Sequence, residues 1–208
     1  MATVTRLRLP LRFALAAAAL SALTLTGCAS MYVDNGLPDV PASAYVRPAT
    51  PQPVQLLFAF KTKGTVNSRA TDLLKKDATD AVIASRLFAA VGTAPAPGGA
   101  LLSVTVDNVP VTSQNDAMAK GFATGLTFGL AGSQVTDGYI CTVDYVANPT
   151  AAKLTKVVHH AIHTNIGAHT APANSTKAVS GIEAAKTIVR QSIGNALKSL
   201  STDPAFGH

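Results

Sequence analysis

The chain of 208 residues contains no Trp, 5% aromatic and 13% charged residues, and two cysteines, Cys28 and Cys141. Without Trp, a core has to be built from Val, Leu, Ile and Ala, and with so few thiols a disulfide framework is excluded. The apolar run near the N-terminus, Phe13 to Leu25, has 13 residues, short of the ~20 that a spanning helix needs. H-E-x-x-H, a P-loop and a G-x-G-x-x-G after a strand are also missing, which removes the sequence signals of metalloproteases, nucleotide hydrolases and dinucleotide-binding enzymes.

What is present at the start is a signal. Arg6, Arg8 and Arg12 precede the uncharged run of Ala, Leu, Ser and Thr, giving a basic n-region and an h-region of signal-peptide length. The run ends in Leu25, Thr26, Gly27 and Cys28, which resembles a bacterial lipobox. The resemblance implies acylation of the Cys28 thiol, cleavage before it and an acylated new N-terminus, so that residues 1–27 are the signal peptide. In enteric lipoproteins an Asp after the Cys retains the protein in the inner membrane. Here that residue is Ala29, and the resemblance implies the outer membrane with the domain in the periplasm.

Cleavage also changes the charge. It removes three of the 17 basic residues and none of the 11 acidic ones. The small basic excess that remains gives no reason to expect nucleic acid as a partner. Cys141 is then a lone thiol, expected to lie buried and inert in a strand.

Residues 28–53 read as the lipidated Cys followed by a Pro-rich tether, with Pro38, Pro41, Pro48, Pro51 and Pro53. Extended at ~3.1 Å per residue, it would hold a globule up to roughly 75 Å from the bilayer. The alternative lays part of it along the domain with Tyr32 or Tyr45 tucked in. Residues 54–208 read as one α+β domain. Alternating apolar residues place strands at Val54–Lys61, Leu101–Val109, Tyr139–Ala147 and Lys153–Ile166, the last two forming a hairpin. Asn67 and Ser68 can cap an amphipathic helix carrying Leu74, Ala78, Ala81 and Val82 and ending at Gly92. Ser180 and Glu183 stand at capping-box spacing before a second, ending near Leu200. This order predicts a two-layer sandwich of about four mainly antiparallel strands with both helices on one face. It is similar to that of several periplasmic accessory lipoproteins, including the lipopolysaccharide-assembly lipoprotein.

An apolar insertion, 118–136, separates the second and third strands. No charge occurs from Gly121 to Thr136, and Gly121, Gly125 and Gly129 recur at every fourth position. Phe122, Leu126, Phe128 and Leu130 are the candidate interaction residues, for a membrane or a partner. The other reading folds this segment under its own sheet. The stretch Gly125 to Tyr139, with F-x-F-x-T-x-G from Phe58 and H-x-I-H-T-x-I-G from His160, resembles a family of uncharacterised proteobacterial outer-membrane lipoproteins. That resemblance adds nothing about catalysis.

Four histidines, His159, His160, His163 and His169, invite a metal site. In a strand, however, His159 and His163 stand about 13 Å apart at ~3.3 Å per residue and His160 faces the other way. A helix would bring His159 and His163 together, but the alternation fits a strand at least as well, and no Cys or carboxylate cluster completes a shell. Ser133 after Gly132 is not a nucleophile elbow. Asp137 and Asp144 could pair with a His but more often such carboxylates face water. No metal, cofactor or catalytic residue is therefore expected. The function expected is that of a non-enzymatic adaptor or accessory subunit of an envelope assembly, with a protein partner or lipid. The alternatives are a carrier of lipid or a small apolar ligand and, more weakly, a hydrolase using Ser133 or His160.

Overall fold

The computed structural model describes residues 29–111, 134–166 and 170–207. Its elements are β1 (Ala29–Asp34), a 3-10 turn at Ala42–Ala44, β2 (Val54–Thr62), β3 (Thr65–Val66), α1 (Ser68–Ser85), β4 (Val91–Gly92), β5 (Leu101–Val111), β6 (Gln134–Val146), β7 (Leu154–Ile166), β8 (Ser175–Lys177) and α2 (Gly181–Ser201). Among the described residues the strands form one mixed eight-stranded sheet in the order β3-β2-β5-β6-β7-β1-β8, with β4 beside β2.

The α+β class is as expected, but the sheet is larger and less uniformly antiparallel. β2 and β5 run parallel, Leu56 beside Leu102 and Phe58 beside Val104. A helix between two strands returns the chain to the end at which it started, and α1 does so here. The β6–β7 hairpin pairs antiparallel from Gln134–Asn165 to Tyr145–Leu154. Along β5 the buried residues are Leu102, Val104 and Val106, and along β6 Tyr139, Cys141, Val143 and Tyr145. These are the faces that alternation selects.

Both helices cover that face. α1 buries Leu74, Ala78, Ala81 and Val82 and is capped by Asn67, whose side chain accepts the Ala70 N–H at 3.0 Å. It stops at Ser85, seven residues before Gly92, because Arg86 adopts the left-handed conformation. In α2, Ser180 accepts the Glu183 N–H at 3.2 Å. The helix buries Ile188, Val189, Ile193, Ala196, Leu197 and Leu200, while Ile182 in its first turn is exposed. Phe88, Tyr145 and Phe206 form an aromatic cluster with centroids 5.0 to 6.0 Å apart, so the few aromatics are concentrated where helix, sheet and C-terminus meet.

The stretch expected as a tether is part of the domain. Residues 29–34 form β1, which pairs with β7 from Ala29–Ile166 to Val33–Ile162 and with β8 from Tyr32–Lys177 to Asp34–Ser175. β7 is as long as β6, and without β1 its outer backbone groups would lack partners. Pro38 then accepts from the Asn195 amide, and Tyr32 and Tyr45 are both buried, as in the alternative reading. The insertion is shorter than expected at its C-terminal side, because Gln134, Val135 and Thr136 already belong to β6.

Candidate functional site

Cys28, Phe122, Leu126, Phe128, Leu130, Ser133 and His169 lie outside the described residues. What the structure describes is the end of the sheet to which they connect. The first cross-sheet row there is Ala29 and Ile166, the second Ser30, Asn165 and Gln134, and the third Met31, Thr164 and Val135. β5 ends at Val111 in the next row, paired with Thr136. Strand direction therefore brings the residue after Cys28 and the last residues flanking 112–133 to one end. α2 also starts there, with the Met31 sulfur 3.1 Å from where a Cβ on Gly181 would lie.

Two buried polar arrangements follow along the strands. On the sheet face away from the helices, the Thr136 hydroxyl lies 3.0 Å from Nδ1 of His163, and Nε2 of His163 lies 3.5 Å from the Asp34 carboxylate, whose other oxygen accepts the Gly36 N–H at 2.6 Å. Asp34, His163 and Thr136 are all buried. The types match an acid–base–hydroxyl chain, but a nucleophile has to be reached by substrate. As placed, the three groups hold β1, β6 and β7 together.

On the helix face, His160 is buried with Nε2 2.8 Å from the side-chain Oε1 of Gln191 on α2, while its Nδ1 accepts the Ala161 N–H at 2.9 Å. A ring that donates from one nitrogen and accepts at the other is neutral. Burial lowers the His160 pKa below the ordinary histidine value, against the opposing bond to Gln191. Stability linked to this group is complete above about pH 6.5 and declines as pH falls toward the lowered folded value, by at most ~1.4 kcal/mol per pH unit. Thermal unfolding between pH 7.5 and 5.5 should show this loss, and His160→Gln should flatten the profile; an unchanged slope would assign the loss elsewhere.

Beside Gln191, a cleft of about 430 Å³ runs between α2 and the β1–β8 edge, lined by Asp39, Lys177, Glu183, Thr187 and Arg190 among others. Arg190 donates to both Asp39 oxygens, at 2.7 and 3.1 Å, and holds the Asp39 pKa below the usual carboxylate value. Sequence reasoning missed Asp34, Asp39, Arg190 and Gln191, since no local motif marks pairs 31 to 151 residues apart.

The histidines fall as a strand requires: His160 faces the helices and His163 the opposite side. No group of three or more potential metal ligands occurs among the described residues. Asp137 lies in β6, where burial raises its pKa, and Asp144 bonds Thr155 and Lys153. Cys141 is fully buried with its thiol pushed up to about 12 by desolvation, so it is an apolar core residue. Among the described residues no helix is long and apolar enough to cross a membrane.

No protein-family model and no curated protein matches the chain. Among solved structures it is similar to the PelC dodecamer from Paraburkholderia phytofirmans, at 15% identity over 83% of this chain and 96% of that one, with a TM-score of 0.33. It is also similar to a Caulobacter crescentus protein described as a lipoprotein, at 13% identity over 73% and 87%, TM-score 0.29. A Xanthomonas campestris protein matches at 17% identity over 75% and 84%, TM-score 0.26. Likeness this loose decides neither the family nor the function of this chain.

Proposed function

We propose that the chain is a lipid-anchored envelope lipoprotein, acylated at Cys28, whose α+β domain works in the periplasm at the outer membrane as a non-enzymatic adaptor or accessory subunit. The observation that carries the anchor is the sequence Leu25-Thr26-Gly27-Cys28 at the end of a 13-residue apolar run behind three arginines.

Two observations favour an adaptor over an enzyme or a carrier. The Asp34–His163–Thr136 chain and His160 are buried, away from any substrate. The apolar groove between β2 and α1, lined by Leu56, Phe58 and Val91 among others, holds about 130 Å³, below the ~300 Å³ at which ligand pockets begin, and the larger clefts of about 430 and 340 Å³ both have the Lys177 ammonium in their walls, which suits an apolar ligand poorly. The contact residues of this reading are Phe122, Leu126, Phe128 and Leu130.

In-cell photo-crosslinking tests it, with a photoreactive residue at position 128 and, as control, at Lys75, which is exposed on α1. A discrete protein adduct from 128 alone is expected. Adducts with lipid only would favour membrane or ligand contact, and a purely internal adduct would remove the adaptor surface.

A further inference from the structure

We infer that the end of the sheet at which β1 begins rests on the lipid bilayer, with Val179 and Ile182 in the interfacial layer. The inference builds on acylation of Cys28 and adds an orientation to it. Consecutive Cα atoms are ~3.8 Å apart, and Ala29 is already paired with Ile166. No spacer therefore separates the acylated residue from the folded sheet. The headgroup layer of one leaflet is roughly 5–8 Å deep. With Cys28 held at its inner boundary, the first two rows of the sheet, at ~3.3 Å per residue, lie within that layer.

The residues at this end suit such a place. Val179 is 97% exposed, and Ile166, Val135 and Ile182 are each about half exposed. A groove of about 340 Å³ beside Ala29 and Met31 has Val179 in its wall and Lys177 as its ionisable side chain. The first three rows contain no charged residue. The nearest sheet carboxylate is Asp137, in the fifth row with Ile162 and Val33, about 13 Å further in at ~3.3 Å per row. Glu183, in the first turn of α2, is paired with Lys186 at 3.0 Å. The opposite end carries the Lys153–Asp144 and Lys156–Asp203 ion pairs. Single exposed apolar side chains are ordinary on any protein. Here they gather at the end where the acylated residue must sit, next to uncharged rows, and a bilayer surface is the partner that fits both.

The test uses the acylated mature chain, from Cys28 onward, in vesicles of phosphatidylethanolamine and phosphatidylglycerol carrying a doxyl-labelled lipid. A fluorophore is placed at Val179→Cys or, as control, at Ile83→Cys near the far end of α1. Labelling is selective because Cys28 is acylated and Cys141 is buried, and both sites are exposed, so the fold should keep its melting temperature. Loss of most emission from position 179 with none from 83 is expected. Equal quenching at both sites, with acylation of Cys28 verified by mass spectrometry, would overturn the orientation and leave the anchor standing. Self-quenching at 179 between labelled copies without vesicles would overturn it in favour of a copy-to-copy surface. An unmodified Cys28 would overturn both anchor and orientation.

Discussion

Cys28→Ser should abolish incorporation of labelled fatty acid and move the protein out of the washed outer-membrane fraction, while the melting temperature of its folded domain stays unchanged. Serine lacks the thiol that accepts the diacylglycerol, and in the lipobox pathway cleavage follows acylation, so the uncleaved precursor should accumulate. Each buried methylene contributes ~0.8 kcal/mol, and one acyl chain gives only marginal, reversible binding, whereas two or three anchor stably. Exposed side chains such as Val179 and Ile182 cannot match that contribution. No described hydrogen bond involves residue 28, so the substitution removes none of them. Full retention of processed Cys28→Ser protein in washed outer membrane would sink the anchor assignment. Fatty-acid incorporation and fractionation on one culture read both halves of the prediction.

The second large effect belongs to Asp34→Ala, expected to destabilise the domain by about 3 kcal/mol. Asp34 is fully buried, accepts from the Gly36 N–H and faces Nε2 of His163. Truncation leaves the buried His163 ring without that acceptor and removes the anchor of the exposed Gly36 N–H, and alanine offers nothing in return. At ~2–4 °C per kcal/mol for a domain of this size, the melting temperature should fall by roughly 6–12 °C. Asp34→Asn keeps an oxygen toward Gly36 and should cost about 1 kcal/mol, and Thr136→Val, at the other side of His163, about 1–2 kcal/mol. Urea unfolding gives all three values. Asp34→Ala within ~0.5 kcal/mol of the parent, the range of ordinary surface substitutions, would mean that residues 29–34 hang free as a tether after all.

Much of the domain was legible because one physical signal, the period of apolar residues, is local. Leu102, Val104 and Val106, then Tyr139, Cys141, Val143 and Tyr145, alternate over enough residues to set both strand and face. The N-caps Asn67 and Ser180 were legible because a cap bonds only three residues ahead. The end of α1 was not, since the left-handed Arg86 replaces the glycine that commonly marks such an end. β1 and β8 escaped for a different reason. They are six and three residues long, without an alternating pattern, and exist because the edge of β7 needs a partner in β1 and the edge of β1 one in β8. The parallel β2–β5 pairing likewise depends on where α1 returns the chain.

The division between sequence and tertiary structure follows the range of the forces. By itself the sequence determined the α+β class, the two caps and the apolar faces, and it alone carries the proposed export signal and acceptor thiol, because each is written within a few neighbouring residues. Only the tertiary structure decided that residues 29–34 of the expected tether form a strand, that Asp34 reaches His163 and Arg190 reaches Asp39, and that Ala29, Val179 and the flanks of the apolar insertion share one end of the sheet. Those outcomes depend on which backbone edges and buried polar groups remain unsatisfied once the core has formed, and residues more than a hundred positions away satisfy them.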